Sequence, residues 1–294
     1  IGDIPIYVAM DSADAWAHPE LFQLDSENVP VAVAGCPPDG FSATGQLWGN
    51  PLYRWDYHRS TGYEWWISRL RYVFNMYDVV RIDHFRGFDE YFSIPYEAEN
   101  AIGGHWEKGP GIDLFRKVEQ ALGWKPVIAE DLGYVTDSVR DMVRDSGFPG
   151  MKVLEFAFDS RDSGCANDYL PHNYPVNSVA YTGTHDNETI VGWWSSITKD
   201  EQKLAREYLC DQATPDKELY KSFISLIMRS SAKLCVIPMQ DYLGLDNKSR
   251  INTPSTVGKN WKWRINTRQL SVKLQKEIYG MALRYGRMNW NDSI

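Results

Sequence analysis

Two patterns of apolar and polar positions alternate along the chain. Short runs rich in β-branched residues recur between longer amphipathic stretches, which is typical of strands alternating with helices. Several of the runs are apolar on both faces, as buried parallel strands are. They predict strands over 4–8, 79–83, 127–130, 152–156, 178–182 and 234–239. The pattern therefore predicts an α/β fold with a mostly parallel sheet.

Apolar residues at helical spacing predict the connecting elements. The helices are expected over 63–74, 114–122, 136–143 and 220–228, and a closing helix carries Leu274, Ile278, Met281, Ala282 and Tyr285 on one face. Six strands are two fewer than a closed (β/α)8 barrel of the TIM type contains. The segment 37–55 is rich in Gly, Pro and aromatic residues and too long for a simple crossover. We expect one barrel domain over 1–294 with a loop-rich insertion around 20–56.

Composition and charge narrow the class of partner. The chain has 294 residues, a hydrophobic fraction of 43% and a charged fraction of 24%, which suits one barrel-sized domain. Its net charge of -8 argues against nucleic acid, because phosphate binding requires a basic surface. A neutral substrate such as a sugar is neither steered nor repelled by this charge. We therefore expect no nucleic-acid partner.

Cysteine usage and the start of the chain bear on location. The cysteines are scattered, without a C-x-x-C spacing, which predicts reduced thiols in a cytoplasmic protein: Cys36, Cys165, Cys210 and Cys235. No stretch is long enough to span a bilayer, and no leader precedes the first apolar run, so we expect no membrane partner. The chain starts at Ile1 and enters a strand-like run at once, which indicates a fragment.

Acidic residues stand at the ends of three predicted strands. They are Asp83 in RIDH, Glu130 in IAED and Asp186 in TGTHDN. A single carboxylate at a strand end is commonly the N-cap of the next helix. In a (β/α)-barrel, however, all strand C-termini open onto one face, so three such acids converge on one pocket. Convergent carboxylates indicate glycoside chemistry, which needs one acid and one nucleophile, about 5 to 5.5 Å apart for retention.

Arg81 strengthens this interpretation. Residues i and i+2 of a strand project from the same face, so its guanidinium is expected beside Asp83. A neighbouring cation favours the ionised carboxylate that a nucleophile requires, whereas Glu130 must hold a proton to act as an acid. A structural ion pair between Arg81 and Asp83 is the alternative.

Further segments match a known family nearly from end to end. The run GDIPIYV at 2–8, followed by DSADAW at 11–16, looks like a third barrel strand and its loop. The loop PPDGFSATGQLWGNPLY at 37–53 is the most specific match, since α-amylases lack it. Together with the acidic strand ends, these segments resemble the amylomaltases, the 4-alpha-glucanotransferases of glycoside hydrolase family 77. The resemblance implies an incomplete (β/α)8 barrel that starts at the third strand and lacks the N-terminal part.

The resemblance also implies roles for individual residues. Asp83 is implied as the nucleophile, Glu130 as the general acid/base and Asp186 as a third carboxylate that holds and distorts the donor sugar. The implied substrate-binding residues are Asp11, Trp48, Arg81, His185, Asn252 and Pro254. The implied substrates are α-1,4-glucans, and we expect neither a metal nor an organic cofactor.

Some residues fit other roles or depart from the family. We expect His84 and His105 to be structural or to support the catalytic residues without being catalytic themselves, and Trp65 and Trp66 to be core residues. Gly40 stands where many relatives carry a larger residue, which predicts a weaker secondary glucan contact on that loop. Three alternatives stay open: an α-glucan hydrolase of the α-amylase type, an inactive carbohydrate-binding fragment, and an unrelated barrel enzyme whose acids bind a divalent metal.

Overall fold

The computed structural model describes residues 1–38, 42–133, 135–160 and 166–288. The chain divides into two compact units, Ile1–Gly150 and Met151–Ile294, and each is described by itself. Gly40 and Cys165 lie outside the described residues, as do the predictions that rest on them. The single catalytic domain expected over 1–294 stays a prediction.

The first unit contains parallel and antiparallel strands. Its strands are β1 (Gly2–Ile4), β2 (Ala32–Cys36), β3 (Gln46–Pro51), β4 (Val80–Ile82), β5 (Glu90–Pro95), β6 (His105–Lys108) and β7 (Val127–Ala129). Its α-helices are α1 (Ala13–Ala17), α2 (Trp55–Ser60), α3 (Glu64–Met76), α4 (Ile112–Leu122) and α5 (Asp137–Ser146), and 3-10 turns cover Pro19–Leu21 and Phe85–Phe88.

The parallel strands of this unit place two of the predicted acids at neighbouring strand ends. β4 lies between β1 and β7, with Ile82 paired to Ile4 on one side and to Ala129 on the other. A further strand, β8 (Gly150–Val153), begins at Gly150, which pairs with Ala129. These strands are buried along β4 and β7 because helices α3, α4 and α5 contribute apolar faces to the same core. The residues that follow β4 and β7 are Asp83 and Glu130.

An antiparallel sheet in the first unit has no counterpart in the predicted strands. Its order is β3-β2-β5-β6. It takes in part of the segment 37–55, for which the sequence predicted a loop, because β3 covers Gln46–Pro51. One face of the sheet buries Val33, Phe92 and Ile94. The strands were missed because β2 is short and contains two alanines and a glycine, which give little β-propensity.

The second unit begins within β8 and is richer in helices. Its sheet runs β8, β9 (Ser178–Tyr181) and β10 (Leu234–Val236), with β9 and β10 parallel. Its helices are α6 (Ala166–Tyr169), α7 (Ile190–Ser196), α8 (Lys199–Leu209), α9 (Tyr220–Met228), α10 (Met239–Tyr242) and α11 (Val272–Arg284). Its 3-10 turns cover Leu154–Phe158, Pro171–Asn173, Asp216–Glu218, Asn247–Ser249 and Thr267–Gln269. The stripe predicted for 220–228 is α9, with Phe223 and Ile227 fully buried.

Three predicted strands have the wrong bounds. Only Ile4 of the run 4–8 lies in a strand, Gly2–Ile4, which ends there because Pro5 has no N–H with which to continue the ladder. The run 152–156 leaves the sheet after Val153 and becomes a 3-10 turn. The run 234–239 ends at Val236, and Pro238 then starts α10. The runs 4–8 and 152–156 are mostly buried, as their apolar residues indicate, but burial alone does not separate a strand from a buried turn. The run 234–239 is half-buried or exposed throughout.

No helix in the described part of the chain combines the length and apolar composition needed to cross a membrane.

Candidate active site

Arg81 binds two acids in the first unit. Nη1 of Arg81 lies 2.7 Å and 2.8 Å from the two oxygens of Asp3, which is its registered neighbour on β1. Nη2 lies 2.9 Å from Oδ1 of Asp83, as the i, i+2 spacing predicts. The guanidinium is buried, whereas both carboxylates are partly exposed. Arg81 therefore orients two carboxylates, those of Asp3 and Asp83, that are partly exposed to solvent.

The charges around Arg81 keep it protonated. Burial acts to lower the pKa of Arg81, but the charges of Asp83, Asp3 and Glu130 outweigh this effect and raise that pKa above its usual value. Three carboxyl groups thus interact electrostatically with the one guanidinium of Arg81. Such an excess of acids favours keeping a proton on one of them.

Glu130 is fixed to the end of the neighbouring strand through its main chain. Its N–H donates to the carbonyl of Ile82 at 3.1 Å, and its carbonyl accepts from Phe85 at 3.0 Å. Its side chain is held equally firmly: Oε2 accepts from the N–H of His84 at 2.6 Å, and Oε1 accepts from the N–H of Leu132 at 3.1 Å. The carboxyl group therefore has little freedom to turn.

Glu130 has the proton affinity of a general acid that works near neutral pH. Burial raises the pKa of Glu130, the negative charge of Asp83 raises it further, and the result is about 7. Arg81 and the two main-chain N–H groups act in the opposite direction. A pKa near 7 lets one carboxyl group give and then take a proton within one catalytic cycle.

Trp48 and Asp11, two of the predicted substrate-binding residues, also lie in the first unit. Trp48 is half-buried on β3, and its ring centre lies 4.9 Å from that of His84 and 6.3 Å from that of Tyr7. Asn50 ties the same strand to the segment after β1, since its Nδ2 donates to the carbonyl of Val8 at 2.9 Å. Asp11 is exposed in a turn of that segment.

The second unit holds Asp186 in a separate set of contacts. Oδ1 accepts from Nδ2 of Asn252 at 2.5 Å, and Oδ2 lies 3.2 Å from Nε2 of His185. Nη2 of Arg250 donates to the main-chain carbonyl of Asp186 at 2.5 Å, while its Nε donates to the carbonyl of Asn252 at 2.8 Å. Arg250 thus joins the loop after β9 to the loop that follows α10.

The rest of this second loop is more exposed. The ring centre of Trp261 lies 5.2 Å from that of His185, and Nδ2 of Asn260 contacts the carbonyl of Thr256 at 2.9 Å. Pro254 is exposed. Among the sites expected in the second unit, Asp186, His185 and Asn252 therefore lie together. The convergence of Asp186 with Asp83 and Glu130 stays a prediction.

Several polar residues around these acids were not found from the sequence. Asp3 was missed because it lies on a different strand from Arg81, although its place opposite Arg81 follows from the parallel register. Arg250 was missed because its hydrogen bonds to the described residues go to main-chain carbonyl groups, for which no sequence signal exists. In the second unit, burial raises the pKa of Asp241 to about 6 and, with the charge of Asp241, raises that of Glu155 well above its usual value.

Histidines and tryptophans outside these sets have structural surroundings. Trp66 is fully buried in the core of the first unit, as predicted, and Trp65 donates to Asp14 at 3.0 Å. His105 is exposed and lies 3.3 Å from Glu107. Among the described residues, no group of three or more His, Cys, Asp or Glu side chains is arranged to hold a metal ion.

Known proteins match the chain over most of its length. The family model described as 4-alpha-glucanotransferase matches residues 1–270. A 4-alpha-glucanotransferase of Clostridium butyricum is 46% identical over 98% of this chain and 58% of the relative. One from Thermus thermophilus is 47% identical over 96% of this chain and 57% of the relative. The chain thus spans somewhat less than two thirds of these relatives.

Solved structures match the fold of the chain. Amylomaltase from Streptococcus agalactiae, solved in complex with acarbose, superposes with a TM-score of 0.92 at 40% identity and covers 98% of this chain and 57% of that one. Amylomaltase from Corynebacterium glutamicum reaches a TM-score of 0.72 at 22% identity, which bears on the fold alone. The predicted (β/α)-barrel class is confirmed, with six parallel strands in the described part of the chain.

Proposed function

The chain belongs to the 4-alpha-glucanotransferase family, glycoside hydrolase family 77, and we propose that the protein carrying it transfers segments of α-1,4-glucans to the 4-hydroxyl of an acceptor glucan or glucose. One observation carries this proposal. Glu130, whose pKa is raised to about 7, follows the strand next to the one that Asp83 follows. A protonated acid beside an arginine-bound carboxylate is the pair that a retaining glycosidic reaction requires.

In the first step, Asp83 attacks the anomeric carbon of the donor glucan while Glu130 protonates the departing glycosidic oxygen. The bond between the anomeric carbon and that oxygen breaks, and a covalent glucosyl ester of Asp83 forms. Arg81 supports this role because its Nη2, 2.9 Å from Oδ1 of Asp83, fixes the carboxylate and balances its charge. The departing glucan leaves with the proton from Glu130.

In the second step, Glu130 is ionised and acts as the base. It takes the proton from the 4-hydroxyl of an incoming glucan, whose oxygen attacks the anomeric carbon and releases Asp83. A hydrolase activates water at the same step, so transfer depends on how well the acceptor is held. Trp48 on β3, with its ring next to His84, supports an acceptor contact close to Glu130.

The remaining residues are proposed to bind the substrate. Asp186, oriented by Asn252 and His185, is proposed as the carboxylate that holds hydroxyls of the donor sugar and favours its distortion. Asp11 and Pro254 are proposed as further contacts; both are exposed. We also propose a cytoplasmic location, with which the free thiols of Cys210 and Cys235 agree.

Product analysis of the full-length protein tests the proposal. With maltotriose alone, transfer gives glucose together with glucans longer than the substrate. A steady rise in reducing ends without longer products would instead identify a hydrolase. No conversion by a folded protein would favour a carbohydrate-binding role, and activity lost to a chelator and restored by a divalent ion would favour a metal-dependent barrel enzyme.

Variants of the two acids separate their roles. Asp83→Asn is expected to abolish conversion of both maltotriose and an α-maltosyl fluoride, because no covalent ester can form. Glu130→Gln is expected to reduce turnover of maltotriose by about 10²- to 10⁴-fold. It should still release fluoride from the activated donor, since fluoride leaves without a proton. Equal losses on both donors in Glu130→Gln would contradict its role as the acid.

A further inference from the structure

His84 connects the two catalytic carboxylates through its main chain. It follows Asp83 directly, and its N–H donates to Oε2 of Glu130 at 2.6 Å. The residue adopts a left-handed conformation, with φ 50° and ψ 48°. This conformation is unfavourable for a residue with a Cβ, so the surrounding structure must hold it. It turns the N–H away from β4 and toward the end of β7.

The imidazole ring of His84 packs closely against its neighbours. Its centre lies 4.9 Å from that of Trp48 in an edge-on arrangement with an interplanar angle of 90°. Its Nε2 is buried and has no hydrogen-bond partner among the described residues. Burial, assisted by the charge of Arg86, lowers the pKa of His84 to about 3, so the ring is neutral at ordinary pH. An uncharged ring without a partner for Nε2 indicates that its contacts, above all that with Trp48, are what it contributes.

Gly87 also lies close to the ring of His84. A Cβ on Gly87 would lie 3.1 Å from Cδ2 of His84 and 2.8 Å from Cδ1 of Ile6. The 3-10 turn Phe85–Phe88 therefore packs closely behind the ring, and Trp48 packs against another edge of it. These contacts restrict the movement of the ring. A ring restricted in this way can hold the strained main chain to which it is attached.

We propose that His84 is a positioning residue, which uses its ring contact with Trp48 to hold the left-handed main chain that aims its N–H at Glu130. The inference rests on the proposed role of Glu130 as acid and base. Displacement of Trp48, or its fixation by an acceptor glucan, then changes how firmly this N–H binds the carboxylate. Because the N–H stabilises the ionised form, its loss raises the pKa of Glu130.

Other groups also act on Glu130 and must stay constant in a test. Burial and the charge of Asp83 raise its pKa, while Arg81, itself bound to Asp3, and the N–H of Leu132 lower it. None of these groups is altered by a substitution at position 84 or 48. Loss of the ring changes the burial of Glu130 alike in the variants at position 84, so a difference in titration among those variants reports on the N–H of His84.

Three replacements of His84 separate its ring from its main chain. Gly and Asn accept the left-handed conformation, whereas Val, with a branched Cβ, strongly disfavours it. In the pH profile of kcat/KM of the full-length protein, His84→Gly and His84→Asn are expected to keep the alkaline limb in place. His84→Val is expected to move that limb upward by about one pH unit. The same position of the limb in all three variants would overturn the proposal.

A double-mutant cycle tests the link to Trp48. In the parent protein, Trp48→Leu is expected to raise the alkaline limb in the same direction as His84→Val. In the His84→Gly background, where no ring remains to transmit the contact, Trp48→Leu should leave the limb unchanged. An equal upward shift in both backgrounds would show that Trp48 acts on Glu130 by another route, and would overturn the proposal even if His84→Val does not fold.

A spectroscopic readout keeps this test separate from the proposed function. Titration of the Glu130 carboxyl group, obtained from infrared difference spectra between parent and Glu130→Gln proteins, needs no catalytic activity. An upward shift in Trp48→Leu that is absent from the His84→Gly background supports the positioning role even if no glucan transfer is found. An unshifted carboxyl titration in Trp48→Leu overturns it even if transfer is confirmed.

Discussion

Asp3 places both of its carboxylate oxygens on one nitrogen of Arg81, at 2.7 Å and 2.8 Å. The same guanidinium reaches Asp83 with its other terminal nitrogen at 2.9 Å. Asp3 therefore uses part of the positive charge that would otherwise act on the two proposed catalytic carboxyl groups. Its effect on catalysis should be electrostatic, since it stands one strand away from Asp83.

Asp3→Asn should lower the pH at which activity is lost on the alkaline side. The amide can still accept a hydrogen bond from Arg81, but the negative charge is gone, so more of the guanidinium charge stabilises ionised Glu130. We expect the alkaline limb of kcat/KM to move down by about half a pH unit. The exposed Glu27→Gln serves as a charge-matched control. An upward shift, or the same shift in the control, would contradict this expectation.

Glu130 should make the protein less stable as the pH rises. Its pKa is raised from 4.5 to about 7, so the folded state binds more protons than the unfolded state between these values. Stability therefore falls as pH rises through this window, by up to about 3 kcal/mol, and the full penalty is present above it. The Glu130→Gln protein lacks this titration.

Unfolding in urea at pH 5, 6, 7 and 8 measures the effect. The free energy of unfolding of the parent protein should fall relative to that of Glu130→Gln as the pH rises across this range. Parallel curves for the two proteins would show that Glu130 has a similar proton affinity in the folded and unfolded states.

The sequence predicted the elements of this region better than their connections. Arg81 and Asp83 were placed side by side because two residues along a strand always share a face. The bond from His84 to Glu130 could not be foreseen, since it depends on a left-handed residue that is not glycine. Main-chain strain of this kind runs against local propensity and is held by tertiary packing.

The antiparallel sheet shows the other limit of the sequence. Its strands pair over long separations, such as Val33 with Ile94, and their alternation is weak because several positions are small or polar. The parallel strands were found more readily because burial on both faces leaves a continuous apolar run. Their bounds were wrong where proline or a 3-10 turn ended the ladder, as at Pro5 and Leu154.

Arg250 should matter for activity through Asp186. Its side chain bonds to the carbonyls of Asp186 and Asn252, so Arg250→Met releases both loops while keeping a side chain of similar length. We expect kcat to fall by about 10- to 100-fold, since displacement of a binding group by about 1 Å has effects of this size. Arg250→Lys should give an intermediate loss, because an ammonium group cannot reproduce the geometry of the fork.

The exposed Arg268→Met provides the matched control, as it removes the same charge from the same unit. Steady-state kinetics with maltotriose and unfolding in urea would be compared for the three variants. Unchanged kcat in Arg250→Met, with Asp83→Asn inactive in the same assay, would show that the position of Asp186 does not depend on this arginine.

Two helical glycines of the second unit should respond oppositely to alanine. Gly280 in α11 has open space where a Cβ would lie, so Gly280→Ala should stabilise the protein by about 0.5 to 1 kcal/mol through helix propensity. A Cβ on Gly192 in α7 would overlap the side-chain amide of Asn247. That amide cannot simply turn away, because its Nδ2 donates to Glu188 at 2.8 Å and its Oδ1 accepts from the N–H of Thr189 at 3.2 Å.

Overpacking at such a site costs about 1 to 3 kcal/mol, which exceeds the gain in propensity, so Gly192→Ala should destabilise the protein. Unfolding in urea of both variants against the parent protein measures the two signs directly. The double change Gly192→Ala with Asn247→Ala should recover part of the loss, because it removes the group that the new methyl meets. Equal stabilisation by alanine at both glycines would mean that Asn247 gives way freely, and that it does not hold the start of α7 in place.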